Sequence, residues 1–353
     1  MKIAVVFGTR PEIIKLSPIL RELEKRSLDF FIIHTNQHYD KNMDEVFLKE
    51  LNLPKVKYNL RIGSGTHANM TGKMLIEIEK VFQQEQPDTV IVQGDTNTVL
   101  AGALAATKMH IKVAHVEAGL RSYTKIPEET NRILTDRIAD YCFVPTKTQE
   151  EILLAEGIDE KSIHVTGNTI VDAVLQNIEL TNSDSKLPKN LSEKQYILLT
   201  AHREENVDNP EKLKTILKAT SAFAKKHSLA VFFPLHPRTK LIIEKYKIDI
   251  PKEIQTNEPV GYLEMLQLIK NAKIIFTDSG GIQEEACILQ VPCITLREST
   301  ERPETVEIGG NKVVGTNHEK ILEEAETMLT KTINWKNPFG DGTSAEKIVN
   351  LLQ

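Results

Sequence analysis

Short, almost uninterrupted apolar runs alternate with amphipathic segments along the whole chain, and this alternation constrains the fold more than any other feature. Strands rich in Val and Ile, without polar alternation, are typical of parallel sheets that are buried on both faces. We predict such strands at residues 3–7, 30–34, 89–93, 113–116, 141–144, 164–166, 196–200, 231–234, 274–277, 293–296 and 312–314. Between them lie helical patterns, such as the one that begins at Pro11. Repeated βαβ units predict an α/β fold with doubly wound sheets.

The pattern restarts in the second half of the chain. A length of 353 residues is sufficient for two hydrophobic cores. The polar stretch 181–193 has the most linker-like composition, so we place the boundary between Gly167 and Glu193. We expect two Rossmann-like domains whose strand ends face each other across a central cleft. Ligands of such sheets bind beyond the carboxyl ends of the strands.

Charge and cysteine content exclude several classes of protein. The net charge of −5 argues against a nucleic-acid-binding protein with a strongly basic surface, although it leaves room for a local phosphate pocket. No apolar run approaches the length of a membrane span, and residues 1–8 predict a first strand rather than a signal peptide. Cys142, Cys287 and Cys293 form no C-x-x-C pair, which argues against a disulfide framework and a structural zinc site. We expect a cytoplasmic protein.

Three carboxylates stand out between residues 93 and 132. Asp95, Glu117 and Glu128 occur in the motifs Gln93-Gly-Asp-Thr-Asn-Thr, His115-Val-Glu-Ala-Gly-Leu-Arg and Pro127-Glu-Glu-Thr-Asn-Arg. We place them just beyond strand ends or in a loop, within reach of a ligand. Because no metal-ligand cluster lies nearby, we predict acid–base chemistry on an organic substrate.

A glycine pair after a predicted strand suggests an anion-binding turn in the second half. In Thr277-Asp-Ser-Gly-Gly-Ile-Gln-Glu-Glu-Ala, Gly280 and Gly281 let backbone N–H groups approach a ligand at a helix start, and Ser279 adds a hydroxyl donor. The competing interpretation is a Ser279 N-cap with a capping-box partner downstream. We favour phosphate, and we expect Glu284 and Glu285 in the first helical turn, where either could bind sugar or ribose hydroxyls.

Further cationic groups follow other predicted strands. Arg10 lies in the turn after the first strand and Lys15 in the helix that follows, but the spacing is not that of a P-loop. His202 and Arg302 occupy similar positions in the second half. The first strand is not followed by a complete G-x-G-x-x-G, so NAD is unsupported.

Together these motifs resemble one known family, the non-hydrolysing UDP-N-acetylglucosamine 2-epimerases. The resemblance runs in order from about Gly8 to Glu304 and also includes Gly167-Asn-Thr and Ala201-His-Arg-Glu-Glu-Asn. It implies a glycosyltransferase-B-like fold, a homodimer, and a final helix that returns to the first domain. The domains would then be 1–168 with 340–353, and 169–339.

The resemblance also implies a reaction, the interconversion of UDP-GlcNAc and UDP-ManNAc by inversion at sugar C2. UDP would leave by elimination and add back to 2-acetamidoglucal, without a metal or a redox cofactor. Asp95, Glu117 and Glu128 would be the acid–base groups, with the base and the acid unassigned, and His202 would lie near the phosphates or the glycosidic oxygen. The implied UDP-binding residues are Arg10, Lys15, Ser279, Gly280, Gly281, Arg302, Glu285 at the ribose and Tyr262 as a substitute contact to the base.

Two departures from the family pattern concern regulation. Glu204 replaces a basic residue found in many bacterial members, and Gln37-His-Tyr-Asp-Lys-Asn-Met differs from their Gln-His-Arg-x-Met loop. Both regions help to form a second, activating UDP-GlcNAc site in those enzymes. We therefore expect this chain to be regulated differently.

Four alternatives stay open at this point. A related epimerase of a UDP-diacetamido-uronic acid would use a spare cation, for which Lys125 is the candidate. A hydrolysing epimerase is disfavoured by Gly94-Asp-Thr-Asn, because the hydrolysing relatives tend to carry Arg after that Asp. A glycosyltransferase would need an acceptor site and fewer acids. A nucleotide-sugar sensor would bind UDP-GlcNAc without proton exchange.

Overall fold

The computed structural model describes residues 1–36, 47–123, 125–181, 187–188 and 191–353. These residues separate into two units. Unit 1 comprises Met1–Gln176 and Phe339–Gln353, and unit 2 comprises Asn177–Pro338. Most of the linker-like stretch 181–193 and the loop 37–43 lie outside the described residues.

Unit 1 is built on a seven-stranded parallel sheet in the order β3-β2-β1-β4-β5-β6-β7. The strands are β1 Lys2–Phe7, β2 Asp29–His34, β3 Tyr58–Asn59, β4 Thr89–Gln93, β5 Lys112–Val116, β6 Tyr141–Val144 and β7 Ile163–Val165. The helices that begin in this unit are Arg10–Lys25, His67–Glu85, Asn97–Lys108, Pro127–Ile138, Lys147–Ala155, Thr169–Thr181 and Ser344–Leu352, with a 3₁₀ turn at Glu160–Ser162.

The first helix shows why the sequence folds in this way. Thr9 is its N-cap, and the Glu12 carboxylate accepts hydrogen bonds from the N–H groups of Gly8 and Thr9, which stabilises the helix start. Its apolar face is buried as predicted from residues at helical spacing, which are Ile13, Leu16, Leu20 and Leu23.

The last helix of the chain packs against the first. Helices Arg10–Lys25 and Ser344–Leu352 are in contact, and Arg26 Nη1 donates to Asn350 Oδ1 over 2.6 Å. The N–H of Ala345 donates to the buried carboxylate of Asp172 over 2.9 Å. These contacts join the C-terminal segment to unit 1.

Unit 2 repeats the architecture with a six-stranded parallel sheet in the order β10-β9-β8-β11-β12-β13. The strands are β8 Tyr196–Thr200, β9 Ala230–Pro234, β10 Ile254–Asn257, β11 Ile274–Thr277, β12 Cys293–Thr295 and β13 Asn311–Val313. The helices are Glu204–Val207, Pro210–His227, Pro237–Tyr246, Tyr262–Asn271, Gly280–Ile288, Pro303–Glu307 and His318–Thr330.

The predicted fold class is confirmed, because both sheets are parallel and helices connect their strands. All eleven predicted strands are present with ends that shift by at most one residue. Strands β3 and β10 were missed. They lie at the sheet edges, where β3 has only two residues and IQTN of β10 has one buried apolar side chain, so neither has an apolar run. Within the described ranges, no helix is both long and apolar enough to cross a membrane.

Candidate active site

The strand order of each sheet reverses once, and the predicted site residues lie near these reversals. In unit 1 the reversal separates β1 from β4. Arg10 was predicted in the turn after β1 but is the first residue of helix Arg10–Lys25, and Asp95 lies in the turn after β4. In unit 2 the reversal separates β8 from β11, which are followed by His202 and Asp278. Ligands of open α/β sheets bind at such points, beyond the carboxyl ends of the strands.

Glu117 is held by side chains from three other segments of unit 1. It directly follows β5, is 6 % exposed and has a left-handed backbone with φ of 67°. Its Oε1 accepts hydrogen bonds from Lys15 Nζ over 2.6 Å and from Asn168 Nδ2 over 3.2 Å, and its Oε2 accepts one from Gln93 Nε2. The side chain is therefore fixed in one position, at the cost of a backbone conformation that is uncommon for a residue other than glycine.

Asp95 is paired with an arginine that sequence reasoning missed. Arg132 Nη2 lies 2.5 Å from Asp95 Oδ2, and Arg132 Nη1 lies 2.9 Å from Glu129 Oε2. Asn131 Nδ2 donates to the Asp95 carbonyl over 2.8 Å. All of these partners come from helix Pro127–Ile138, so the Asn-Arg end of the Pro127 motif positions Asp95.

The structure corrects the placement of Glu128. It lies in the first turn of helix Pro127–Ile138 rather than in a loop, because Pro127 fits the first helical position. The helix N-terminus favours a negative charge there. The side chain is half-buried, and its carboxylate has no hydrogen-bond partner among the described residues. Glu129 beside it is engaged, since its carboxylate accepts from the Ser122 and Tyr123 N–H groups.

Sequence reasoning also missed a carboxylate, Glu12, which connects two turns of unit 1. Besides its contacts with Gly8 and Thr9, its Oε1 accepts from Thr96 Oγ1 over 2.5 Å. Burial raises the pKa of Glu12 to about 7, although these hydrogen bonds act in the opposite direction. The Thr9-x-x-Glu12 capping box was a signal in the sequence that could have revealed it. Arg10 beside it lies over the Phe47 ring, with 5.7 Å from Cζ to the ring centroid.

In unit 2 a buried aspartate organises the turn that carries His202. Asp278 accepts hydrogen bonds from the N–H groups of His202 and Arg203, each over 3.0 Å to Oδ2, and from Asn206 Nδ2 over 3.1 Å. His202 Nδ1 lies 3.2 Å from Asp278 Oδ1, which leaves Nε2 of this partly exposed ring for a ligand. Although burial acts to raise the pKa of Asp278, its bonds with His202 hold that pKa below the usual value.

The glycine turn after β11 differs from prediction in two respects. Helix Gly280–Ile288 begins at the glycine pair, so Glu284 and Glu285 lie in its second turn instead of its first. Both are buried. Ser279 is the N-cap residue, but its side chain makes no capping bond, so the capping-box interpretation is wrong. The first turn of this helix carries no acidic residue, which leaves its N–H groups suited to an anion.

Three other residues named from the sequence also lie in unit 2. Arg302 Nε lies 2.6 Å from Glu284 Oε1 in a largely buried ion pair. Tyr262 is the first residue of helix Tyr262–Asn271 and is half-buried. Glu204 pairs with Arg238 over 2.6 Å, and Arg238 also pairs with Asp208 over 2.5 Å.

The described residues contain no group of three or more His, Cys, Asp or Glu side chains that could hold a metal ion. Near the strand ends of unit 1, carboxylates are instead paired with cations, Glu117 with Lys15 and Asp95 with Arg132. Such a set can exchange protons with a bound molecule and can stabilise a charge that develops on it.

Comparison with known proteins identifies the family. The sequence model described as UDP-N-acetylglucosamine 2-epimerase matches residues 21–353. The UDP-N-acetylglucosamine 2-epimerase of Methanocaldococcus jannaschii is 57% identical over 361 residues, which is 100% of this chain and 99% of that protein. This chain belongs to the UDP-N-acetylglucosamine 2-epimerase family. It is therefore an epimerase, as predicted.

A crystal structure of the same relative and a second curated relative are also similar to this chain. A crystal structure of the Methanocaldococcus jannaschii enzyme in complex with UDP-GlcNAc and UDP has a TM-score of 0.87, covers 100% of this chain and 99% of that one, and is 57% identical. The UDP-2,3-diacetamido-2,3-dideoxy-D-glucuronate 2-epimerase of Pseudomonas aeruginosa is 42% identical over 100% of this chain and 99% of that protein. The glycosyltransferase-B-like fold class predicted from the sequence is confirmed by the structural relatives.

Proposed function

We propose that this epimerase interconverts UDP-GlcNAc and UDP-ManNAc through elimination and re-addition of UDP. A base removes the C2 proton, and the C–H electron pair forms a double bond between C1 and C2. The C1–O bond breaks, and UDP leaves with its electron pair, which produces 2-acetamidoglucal. An acid then protonates C2 on the opposite face while a UDP oxygen adds back to C1. Atoms and charge balance without a redox cofactor.

The observation that carries this proposal is the set of three carboxylates in unit 1. The three side chains are in different environments. Asp95 is paired with Arg132, Glu117 is held by Lys15 and neighbouring amides, and Glu128 lies at the N-terminus of a helix. Different environments allow one carboxylate to accept a proton while another supplies one. The C2 proton is not adjacent to a carbonyl, so its removal depends on positive charge that develops as UDP departs, and nearby carboxylates stabilise that charge.

Unit 2 offers the groups that we assign to UDP. The helix start at Gly280 and Gly281 presents N–H groups after β11, and His202 is fixed through Asp278 with Nε2 available. We propose that these groups bind the pyrophosphate and stabilise it as it leaves. In this proposal Arg10, Lys15, Ser279 and Arg302 also contact the phosphates, Glu285 the ribose, and Tyr262 the base.

A UDP-diacetamido-uronic acid is the second candidate substrate, because the Pseudomonas aeruginosa relative is named as the 2-epimerase of such a sugar. That substrate adds a carboxylate to the sugar. Lys125 is an exposed cation two residues ahead of helix Pro127–Ile138, and it would pair with this carboxylate. If the uronic acid is the substrate, Lys125→Met will raise its KM; if UDP-GlcNAc is the substrate, the variant will have a normal KM.

Solvent exchange tests the reaction directly. We expect the protein, incubated with UDP-GlcNAc in D₂O, to produce a mixture of GlcNAc and ManNAc nucleotides with deuterium at C2 by NMR. Accumulation of UDP and free ManNAc would point to hydrolysis instead. An unchanged spectrum would exclude UDP-GlcNAc as the substrate, and the same assay would then be run with the diacetamido-uronic acid.

Substitution tests the assigned roles. Asp95→Asn, Glu117→Gln and Glu128→Gln should each lower turnover by about 10²–10⁴-fold while UDP binding persists. Glu79→Gln is the matched control, since Glu79 is exposed on helix His67–Glu85 of the same unit. A carboxylate whose replacement leaves turnover near that of the control has no acid–base role.

We also propose a homodimer, as the family resemblance implies. Sedimentation equilibrium should then give about twice the 39.8 kDa mass of one chain. A mass of a single chain at micromolar concentration would contradict this assignment.

A further inference from the structure

His115 has both ring nitrogens in contact with hydrogen-bond acceptors. It lies in β5 and is fully buried. Its Nδ1 lies 2.7 Å from Asp136 Oδ1, and its Nε2 lies 2.8 Å from the carbonyl oxygen of Gly94. A backbone carbonyl can only accept a hydrogen bond, so Nε2 must carry a proton.

The surroundings of Asp136 require the second proton. Asp136 Oδ2 accepts from Arg121 Nη1 over 2.8 Å and from the Gly119 N–H over 3.2 Å. A carboxylate between a guanidinium and a backbone donor is ionised, so it accepts from Nδ1 as well. The ring of His115 then donates through both nitrogens and must be an imidazolium.

We propose that His115 is a protonated positioning residue that holds the candidate acid–base carboxylates Asp95 and Glu117 in place. This inference rests on the proposed function. His115 contacts no reacting atom itself. It donates to the carbonyl of Gly94, directly before Asp95, and Asp136 on its other side holds Gly119, two residues after Glu117.

Left-handed turns lie at both ends of this arrangement. Gly94 has φ of 84° and Glu117 has φ of 67°, so each candidate carboxylate lies in or next to a left-handed turn. Neutral His115 would keep only one ring N–H. Either the Gly94 carbonyl oxygen or Oδ1 of Asp136 would then lose its hydrogen bond from His115 inside the protein, which is unfavourable.

The charged groups around His115 favour the imidazolium. Asp136 and Asp95 are the acids that act on it. The positive charge of Arg121 would disfavour a second cation, but Arg121 is paired with Asp136 and Glu156. The Cys142 thiol lies near the Asp136 carbonyl. Burial acts to lower the pKa of His115, but Asp136, the Gly94 carbonyl and Asp95 together outweigh burial, so the pKa is raised. Conversely, burial acts to raise the pKa of Asp136, but His115 and Arg121 hold it below its usual value.

Nitrogen NMR of the wild-type protein tests the charge of His115. With ¹⁵N-labelled histidine rings at pH about 8.5, some two units above the ordinary histidine pKa of ~6.5, His115 should still show a proton on both nitrogens. Its signals are assigned by their loss in His115→Gln. His164 in β7 is the matched control, because burial lowers its pKa and it should show one ring proton. A single ring proton on His115 would overturn the proposal, and this result does not depend on whether the protein turns over UDP-GlcNAc.

Kinetics test the positioning role. The Gln side chain in His115→Gln can still donate to the Gly94 carbonyl, whereas Leu in His115→Leu cannot. We expect turnover to fall by up to about 10²-fold in His115→Leu and much less in His115→Gln, with little change in KM in either. His164→Gln should keep wild-type turnover. Equal losses in both His115 variants, in proportion to lost folded protein, would mean that His115 is only structural.

Asp136→Asn provides a further readout if His115→Leu does not fold. Without the carboxylate, the pKa of His115 should fall. As the pH is raised, His115 should then lose its proton earlier, so the turnover of Asp136→Asn should begin to decline at a lower pH than that of the wild type. A pH profile of Asp136→Asn that coincides with the wild-type profile would refute the proposal.

Discussion

Lys15 Nζ and Glu117 Oε1 lie 2.6 Å apart in an ion pair between the first helix and the end of β5. The two side chains are only 13% and 4% exposed. This pair fixes the candidate acid–base residue Glu117 against the helix that follows β1. It also makes Lys15 a structural partner as well as a candidate ligand of UDP.

Lys15→Met should therefore destabilise the protein. Removal of one partner leaves a buried carboxylate without its cation, which costs about 3 kcal/mol. Lys25→Met is the control, because Lys25 is on the same helix, is 74% exposed and pairs with Glu22 near the surface. Urea denaturation of the two variants measures the difference. If Lys15→Met is as stable as Lys25→Met, the ion pair contributes nothing to stability.

Glu12 should make stability depend on pH. Burial raises its pKa from 4.5 to about 7 in the folded protein, so between these values the native state holds a proton that the unfolded state has released. The contribution is complete below pH 4.5 and is lost as pH rises through about 7, with a total of about 3 kcal/mol.

The measurement is the free energy of unfolding at several pH values for the wild type and for Glu12→Gln. The wild type should lose stability relative to the variant as pH rises across that window. Glu22→Gln should show the opposite trend at acidic pH, where the wild type should lose stability relative to this variant as the pH falls. Burial acts to raise the pKa of Glu22, but hydrogen bonds from Arg26 and Lys25 hold it below the usual value. A constant difference between wild type and Glu12→Gln would show that Glu12 does not titrate in this window.

Gly119→Ala should be more damaging than Gly94→Ala. Both glycines have positive φ, but a Cβ at Gly119 would lie 2.8 Å from the Gln149 carbonyl oxygen, whereas one at Gly94 would meet nothing within 4 Å. We expect a loss of about 3 kcal/mol for Gly119→Ala and about 1 kcal/mol for Gly94→Ala. Gly72 lies on an open face of helix His67–Glu85, so Gly72→Ala should stabilise the protein by about 0.8 kcal/mol. Thermal unfolding of the three variants decides, and equal losses at Gly119 and Gly94 would contradict the predicted clash.

Asp278→Asn should weaken UDP binding. The substitution replaces a carboxylate that holds the His202 and Arg203 N–H groups, so the turn after β8 should loosen. We expect an increase in Kd of about tenfold, equivalent to about 1.4 kcal/mol, by isothermal titration calorimetry. Glu253→Gln is the control, since Glu253 precedes β10 at the amino ends of the strands, whereas Asp278 follows β11 at their carboxyl ends. Unchanged affinity in Asp278→Asn would remove the His202 turn from the proposed UDP site.

The sequence itself determined the strands and the fold class. Buried strands of a parallel sheet need apolar side chains on both faces, so they leave a continuous Val and Ile signal that local inspection detects. Edge strands such as β10 have no such requirement, and they were missed. The motifs also predicted that Asp95 and Glu117 follow strand ends, where residues are within reach of a ligand. Glu128 was predicted beyond a strand end or in a loop, but it lies in the first turn of helix Pro127–Ile138.

The tertiary structure alone decided which charges meet. Lys15 and Glu117 are 102 residues apart, and Arg132 is separated from Asp95 by 37. Nothing in the local sequence of either member identifies its partner, because the contact depends on which strands are neighbours in the sheet. The same holds for His115, whose charge follows from a carbonyl after β4 and a carboxylate from helix Pro127–Ile138. Local patterns specify elements through side-chain burial, whereas ion pairs depend on distances of a few ångströms that only the folded chain creates.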